Sequence, residues 1–232
     1  SGASIIHDGA GNLIKAPKVN DWSSANVMIY DAWNRLVRVL DGGTAVGEYG
    51  YDGQNRRTAK TTGTTTRQYY YSSQWQILEE RLNSTTMADR QFVWGLMDLD
   101  NLVLRDRGTE RLYSLQDVFN CTAVANTSGA IQERYGYNAF GLSRVMTPAF
   151  GARSASSFDW ETRYAGYRFD AESNFYQVRN RYLHANLGRW LSQDPADYRD
   201  GSNLYSYVGN KSVNRIDPDG LWATKDHTAL TK

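Results

Sequence analysis

Apolar and polar residues alternate along most of the chain in short runs, each closed by a cluster of Gly, Asn, Asp or Ser. Residues 47–52 (GEYGYD) show the alternation leading into its turn. Runs such as LVRVLD and RTAKTT have the length of one hairpin arm. A period of two places successive side chains on opposite faces of a strand. Apolar stripes at helical spacing are nearly absent. The pattern predicts an all-β chain of many hairpins.

The runs also repeat, at a spacing of about 20 residues, the signature of a repeat architecture. HDGAGNL begins at His7, YDAWNRL at Tyr30 and YDGQNRR at Tyr51. YYYSSQW carries Tyr71 in the same register, FVWG and YSLQD continue the spacing less clearly, and YGYNAFG restores it at Tyr137-Asn138. Each unit reads as a strand ending on tyrosine. Asp31 or Asp52 then opens a turn by accepting from backbone N–H groups ahead of it. Asn34 or Asn55 tolerates the left-handed backbone that the turn needs. One hairpin is barely stable alone, so the copies are expected to pair edge to edge as a ladder. From about Asp159 the repeat is lost and the chain becomes denser in arginine and aromatics, which predicts a less regular cap on the ladder's open edge. The preceding segment, TPAFGARSASSFDW, reads as a loop.

Composition narrows the function. The chain has 232 residues and a net charge of +1 from 26 basic and 25 acidic residues, so it exerts no broad pull on nucleic acid or anionic membrane. No apolar run approaches the roughly 18 residues of a spanning helix. The first residues lack the basic start and apolar stretch of a secretion signal. One cysteine, Cys121, excludes an internal disulfide framework, and His7, His184 and His227 are too scattered for a structural zinc site. Asp98, Asp100 and Asp106 give only a fragment of a calcium loop, without its glycine and closing glutamate. No cofactor is expected. Sixteen tyrosines and seven tryptophans are the compositional oddity. They are expected to pack the ladder's interior, with stacking on sugars as the alternative. Asn-X-Ser/Thr sites at Asn83, Asn120, Asn126 and Asn210 matter only in a glycosylating pathway.

The candidate chemistry lies near the end. Asp194 and Asp217 each precede a proline, 23 residues apart, and Arg181 stands 13 residues before the first. Paired acids can share a proton and split an amide bond. An isolated Asp-Pro equally starts a turn, so the residues alone leave the two readings open. Asp219 reads as a turn residue near the same bond, and Arg189 as an ion-pair anchor for the cap.

The YD units, YNAFG, YAGYRFD, FYQVRNRYL, GRWLSQDP, NLYSYVGN and DPDGL stand in the order seen in bacterial Rhs and YD-repeat proteins, and the chain resembles them from about His7 to Leu221. The resemblance is strongest in the Rhs-associated core, from Tyr135 to Leu221. It implies a YD-repeat β-hairpin ladder over residues 1–158 that forms part of a spiralling β-shell. It also implies a core plug over residues 159–221 and a short tail over residues 222–232. Self-cleaving members imply an acid pair at Asp194 and Asp217, with Arg181 beside it. The scissile bond would be Leu221–Trp222, with Gly220 bending the chain. Upstream repeats and an encapsulated C-terminal cargo would be the partners, in a secreted or cell-surface protein of which this chain is a part. Family shells use more repeats than occur here. The chain departs from the family at Ala196-Asp197 (usually Ile-Gly), Asn174-Phe175 (Gly-Leu) and Lys211-Ser212 (Asn-Pro). The alternative is a non-cleaving surface scaffold that binds a partner or carbohydrate.

Overall fold

Turn chemistry sets the architecture. The computed structural model describes residues 2–96, 99–117, 120–200, 202–221 and 225–226, with backbone alone at Arg199, Asp200, Lys225 and Asp226. Asp31 Oδ1 accepts from the backbone N–H of Trp33 at 2.9 Å and of Arg35 at 3.0 Å, while Asn34 takes φ 60°. Asp52 repeats this with Gln54 and Arg56, both at 2.9 Å, and Asn55 takes φ 67°. Units that have lost the Asp keep the geometry. Ser72 Oγ accepts from Gln74 and Gln76, with Trp75 at φ 64°. Asn138 Oδ1 accepts from Phe140 and Leu142, with Gly141 at φ 88°. The working motif is a short side-chain acceptor followed three residues later by a left-handed residue. The opposite ends of the strands use tighter turns. Gly42 and Gly43 both have positive φ between the paired Asp41 and Thr44, as a type I′ turn demands.

Among the described residues fifteen strands, from Ile6–His7 to Ala152–Arg153, follow one another in sequence order in a single sheet. Neighbouring strands pair antiparallel, as in Asp21–Tyr30 on Leu36–Asp41 and Thr44–Tyr51 on Arg57–Thr62. The repeat's tyrosine explains the spacing. Tyr51 Oη donates to the carbonyl of Leu36 at 2.7 Å, Tyr30 to that of Leu13 at 3.1 Å and Tyr137 to that of Cys121 at 2.6 Å. Trp94 serves the same role in a degenerate unit, with Nε1 donating to Ile77 at 2.7 Å. Each ring therefore closes over the start of an earlier strand, satisfying a carbonyl beside the turn.

The chain divides into two compact units, residues 68–169 and residues 1–67 with 170–232. The first is built around Tyr69, Phe92, Leu102, Leu112, Val124, Tyr135 and Trp160. In the second, Phe175–Val178 pairs with Arg181–His184, which pairs with Arg189–Trp190. Every residue of the first two strands is buried, as in a sheet covered on both faces. Strands of the ladder supply the cover: Tyr51 Oη meets Tyr182 Oη at 3.0 Å, and His184 Nε2 lies 2.9 Å from the Pro17 carbonyl. No described helix is long and apolar enough to cross a membrane.

The interior is not purely aromatic. Tyr49, Tyr69 and Tyr135 are buried, but Trp22 and Trp33 are exposed. Where other strands begin with Leu36 and Val39, Arg57–Thr62 buries Arg57 and Lys60. Arg57 pairs with Asp170 at 2.5 and 2.9 Å, and Lys60 reaches both Asp170 and Glu172 at 3.0 and 3.3 Å. In the other unit Glu80, at the equivalent place in its strand, pairs with Arg168 and Arg90. Buried charge is tolerated when it is paired and hydrogen-bonded; the pairs through Asp170 and Arg168 bond a ladder strand to a later segment of the same unit, and Glu80–Arg90 joins two neighbouring ladder strands.

Candidate functional site

Three elements of one unit bring the predicted residues together. Arg181 opens the strand Arg181–His184 after a tight turn in which Val178 pairs with Arg181. Its guanidinium lies over the buried Trp190 ring at 4.3 Å. Asp194 follows the strand Arg189–Trp190, and Asp217 follows Arg215–Ile216. Arg181 Nη2 lies 2.9 Å from Asp194 Oδ2 and 3.2 Å from Asp217 Oδ2, so one nitrogen holds both carboxylates.

Each acid also forms its turn. Asp194 Oδ1 accepts from Ala196 N at 2.8 Å, and Asp217 Oδ1 accepts from Leu221 N at 3.1 Å. In each carboxylate one oxygen fixes the local chain and the other meets Arg181. Burial draws the Arg181 pKa down despite the two carboxylates beside it, but a guanidinium remains charged at any ordinary pH. The Asp217 side chain is 2% exposed and that of Asp194 8%, which makes Asp194 the acid nearer to water. Asp194 also borders a cleft of about 680 Å³.

The segment 217–221 is held along its length. Arg181 Nε donates to the Gly220 carbonyl, Arg179 Nη1 to that of Pro218, and Asn180 Nδ2 to that of Asp219 at 3.0 Å. Asn180 is fixed in turn by Asn55, whose Nδ2 donates to its Oδ1 at 3.0 Å. Gly220 has φ 67°, and a Cβ there would stand 2.6 Å from the Val178 carbonyl oxygen. Only glycine fits that backbone at that approach.

These contacts make a buried, hydrogen-bonded acid pair with a peptide segment threaded past it. A scan against family models finds no match. Among curated proteins, the chain is 28% identical over 200 residues to a tRNA3(Ser)-specific nuclease WapA of Bacillus spizizenii, covering 83% of this chain and 8% of that one. It is 45% identical over 113 residues to toxin subunit YenC1 of Yersinia entomophaga, 48% of this chain and 11% of the relative. The solved structure of TcdB2–TccC3 matches 94% of this chain and 14% of its own length, with TM-score 0.64 and 21% identity. The repeats, the fold and these relatives identify an Rhs/YD-repeat protein. The chain thus spans about a tenth of the curated relatives it matches.

In this Rhs/YD-repeat chain the other predicted residues are placed as follows. Asp219 is 45% exposed at its side chain and lies 3.9 Å from Arg179 Nε. Arg189 forms no ion pair among the described residues; it lies over the Tyr205 ring at 4.8 Å. The cap is anchored there by stacking, where charge had been expected. Leu221 is half-buried, and Trp222 lies outside the described residues, as do Asp98 and His227. Asp106 is engaged by Arg111 through two contacts of 2.7 Å. Nothing in the sequence marks Arg179, Asn180 or Trp190 for this site, and Asn55 stands out there only as a turn residue. The one available signal was a polar Arg-Asn-Arg triplet between two apolar strands, which marks a turn without saying what it grips.

Proposed function

We propose that this chain forms part of the wall and the closing plug of an Rhs-type shell, and that it cuts itself once between Leu221 and Trp222. The observation that carries this reading is the shared contact of Arg181 Nη2 with Asp194 and Asp217, beside the held Gly220–Leu221 peptide. One guanidinium balances one carboxylate, so a proton shared by the acids removes the remaining buried charge. Asp194, the acid nearer to water, takes a proton from a water that adds to the Leu221 carbonyl carbon. The proton held by the pair passes to the Trp222 nitrogen as the C–N bond breaks. The scissile bond belongs to the same chain, so its effective concentration is high without a substrate pocket, and the reaction turns over once. Residues 159–221 would act as the plug. The released piece would begin at Trp222 and continue into cargo held by the shell, in a protein that is secreted or displayed on a surface.

Intact mass spectrometry of the purified, folded chain tests this. The expected product ends at Leu221. Asp194→Asn and Asp217→Asn are each expected to slow its appearance by at least about 100-fold, the scale of losing an acid or base. Wild-type protein that stays uncut would overturn the cleavage and leave the non-cleaving scaffold.

A further inference from the structure

Two buried arginines in the unit of residues 68–169 each keep one N–H group unsatisfied. Arg90 is 2% exposed and Arg105 1%, and the Nε of each has no hydrogen-bond partner among the described residues. A buried donor without an acceptor is costly, so two in one place call for an explanation. Both residues line one small cavity, whose apolar wall comes from Phe92, Leu102 and Trp160. The space open to a particle's centre there is about 10 Å³, enough for one water molecule or one monatomic ion.

The charges around the cavity are unevenly matched. Four carboxylates stand near Arg90: Glu80 at 3.4 Å, Asp159 at 3.5 Å, Glu161 at 3.6 Å and Asp89 at 3.7 Å. Each lies closer to another arginine. Glu80 reaches Arg168 at 2.5 Å, and Glu161 binds the same guanidinium. Arg107 holds Asp159 at 2.8 Å and Asp89 at 3.6 Å. Arg105 has Glu110 at 2.5 Å. Among the described residues of this cluster, Arg90 is the cation with no carboxylate of its own. Burial draws the Arg105 pKa down and Arg90 adds to the effect, because the two guanidiniums repel. A water in the cavity would accept from both Nε–H groups and leave that repulsion in place. A monatomic anion accepts from both, cancels the repulsion, and has no protons of its own to place.

We infer that this cavity binds one monatomic anion, chloride in ordinary salt, held by the Nε–H groups of Arg90 and Arg105. The ion bridges the paired strands Arg90–Trp94 and Leu102–Arg107 beside residues 159–162. The site is separate from the acid pair and stands whether or not the chain cuts itself.

Crystals of the full chain grown in sodium bromide test it, because bromide replaces chloride and scatters anomalously. One anomalous peak is expected within about 3.5 Å of both Nε atoms. In solution, the melting temperature is expected to stand about 3–8 °C higher in sodium chloride than in sodium gluconate, each at about 0.15 M. Gluconate carries the same charge and is too large for the cavity. The gain saturates as chloride is raised, and sodium bromide reproduces it. Arg90→Met removes the cation and is expected to abolish the difference. Arg38→Met, at the surface beside Glu48, keeps it. If Arg90→Met does not fold, Arg90→Lys carries the test. It keeps the charge without the Nε donor and is expected to weaken halide binding at least about 10-fold. No anomalous peak, whether the cavity holds a water or nothing, would overturn the inference. So would equal melting temperatures in chloride and gluconate, or a difference that survives in the Arg90 variants.

Discussion

Tyr30, Tyr51, Trp94 and Tyr137 do one job with two side chains: each donates to a carbonyl at the start of an earlier strand. The tyrosine period was legible, because a fixed spacing is visible in letters. The substitution by tryptophan was not, because only the hydrogen bond makes the two equivalent. Tyr137→Phe is expected to lower stability by about 1 kcal/mol in chemical denaturation, with the fold retained. An unchanged midpoint would show the bond to be idle. His184 gives a pH test. Its Nδ1 accepts from Leu187 N at 3.2 Å, so Nε2–H donates to the Pro17 carbonyl and the ring is neutral. Burial lowers its pKa, only partly offset by that carbonyl. A lowered histidine contributes stability that is complete above the ordinary value near 6.5 and is lost as pH falls below it. The melting temperature is expected to fall between about pH 7 and pH 5, and to fall less in His184→Gln. Equal slopes in the two proteins would remove His184 from the account.

At the scale of elements, the turn at 217–220 matters most. Its sequence says that a turn starts at Asp217, but not that the turn is pressed against Val178 and Arg181. Gly220→Ala places a Cβ 2.6 Å from the Val178 oxygen at a backbone of φ 67°. The expected cost is about 1–3 kcal/mol, measured by denaturation, with the segment displaced from Arg181 and cleavage slowed in the mass assay. A stable Gly220→Ala that cuts at the wild-type rate would mean that this turn does not present the bond. The repeat turns were more readable. Asp31, Asn34, Asp52 and Asn55 act as their side-chain chemistry dictates, because their partners lie within four residues.

For the molecule as a whole, ion pairs buried in the interior join distant parts of the chain. Asp170 is fully buried between Arg57 and Lys60, 113 and 110 residues away. Asp170→Ala removes the carboxylate that Arg57 and Lys60 share, leaving Lys60 with Glu172 alone, and is expected to cost about 3–5 kcal/mol, read as a shift in the denaturation midpoint. Replacing the pair together, Arg57→Met with Asp170→Leu, is expected to restore part of that loss, since an apolar pair needs no counter-charge. If the double variant is no better than the single one, the network is holding the fold by geometry and not by charge balance. Glu172 extends the network, its pKa raised by burial and by Asp170 beside it.

The sequence by itself determined what rests on near neighbours in the chain. The alternation of strands and the acceptor-and-left-handed turn both depend on residues a few positions apart. It also marked Arg181, Asp194 and Asp217 by their spacing. Only the tertiary structure decided that one guanidinium nitrogen holds both acids, that Asn180 and Arg179 grip the chain between Asp217 and Leu221, and that Arg57 and Lys60 face inward. The physical reason is the same in each case. A buried charge is stable only beside its partner, and that partner comes from a part of the chain that no local pattern can indicate.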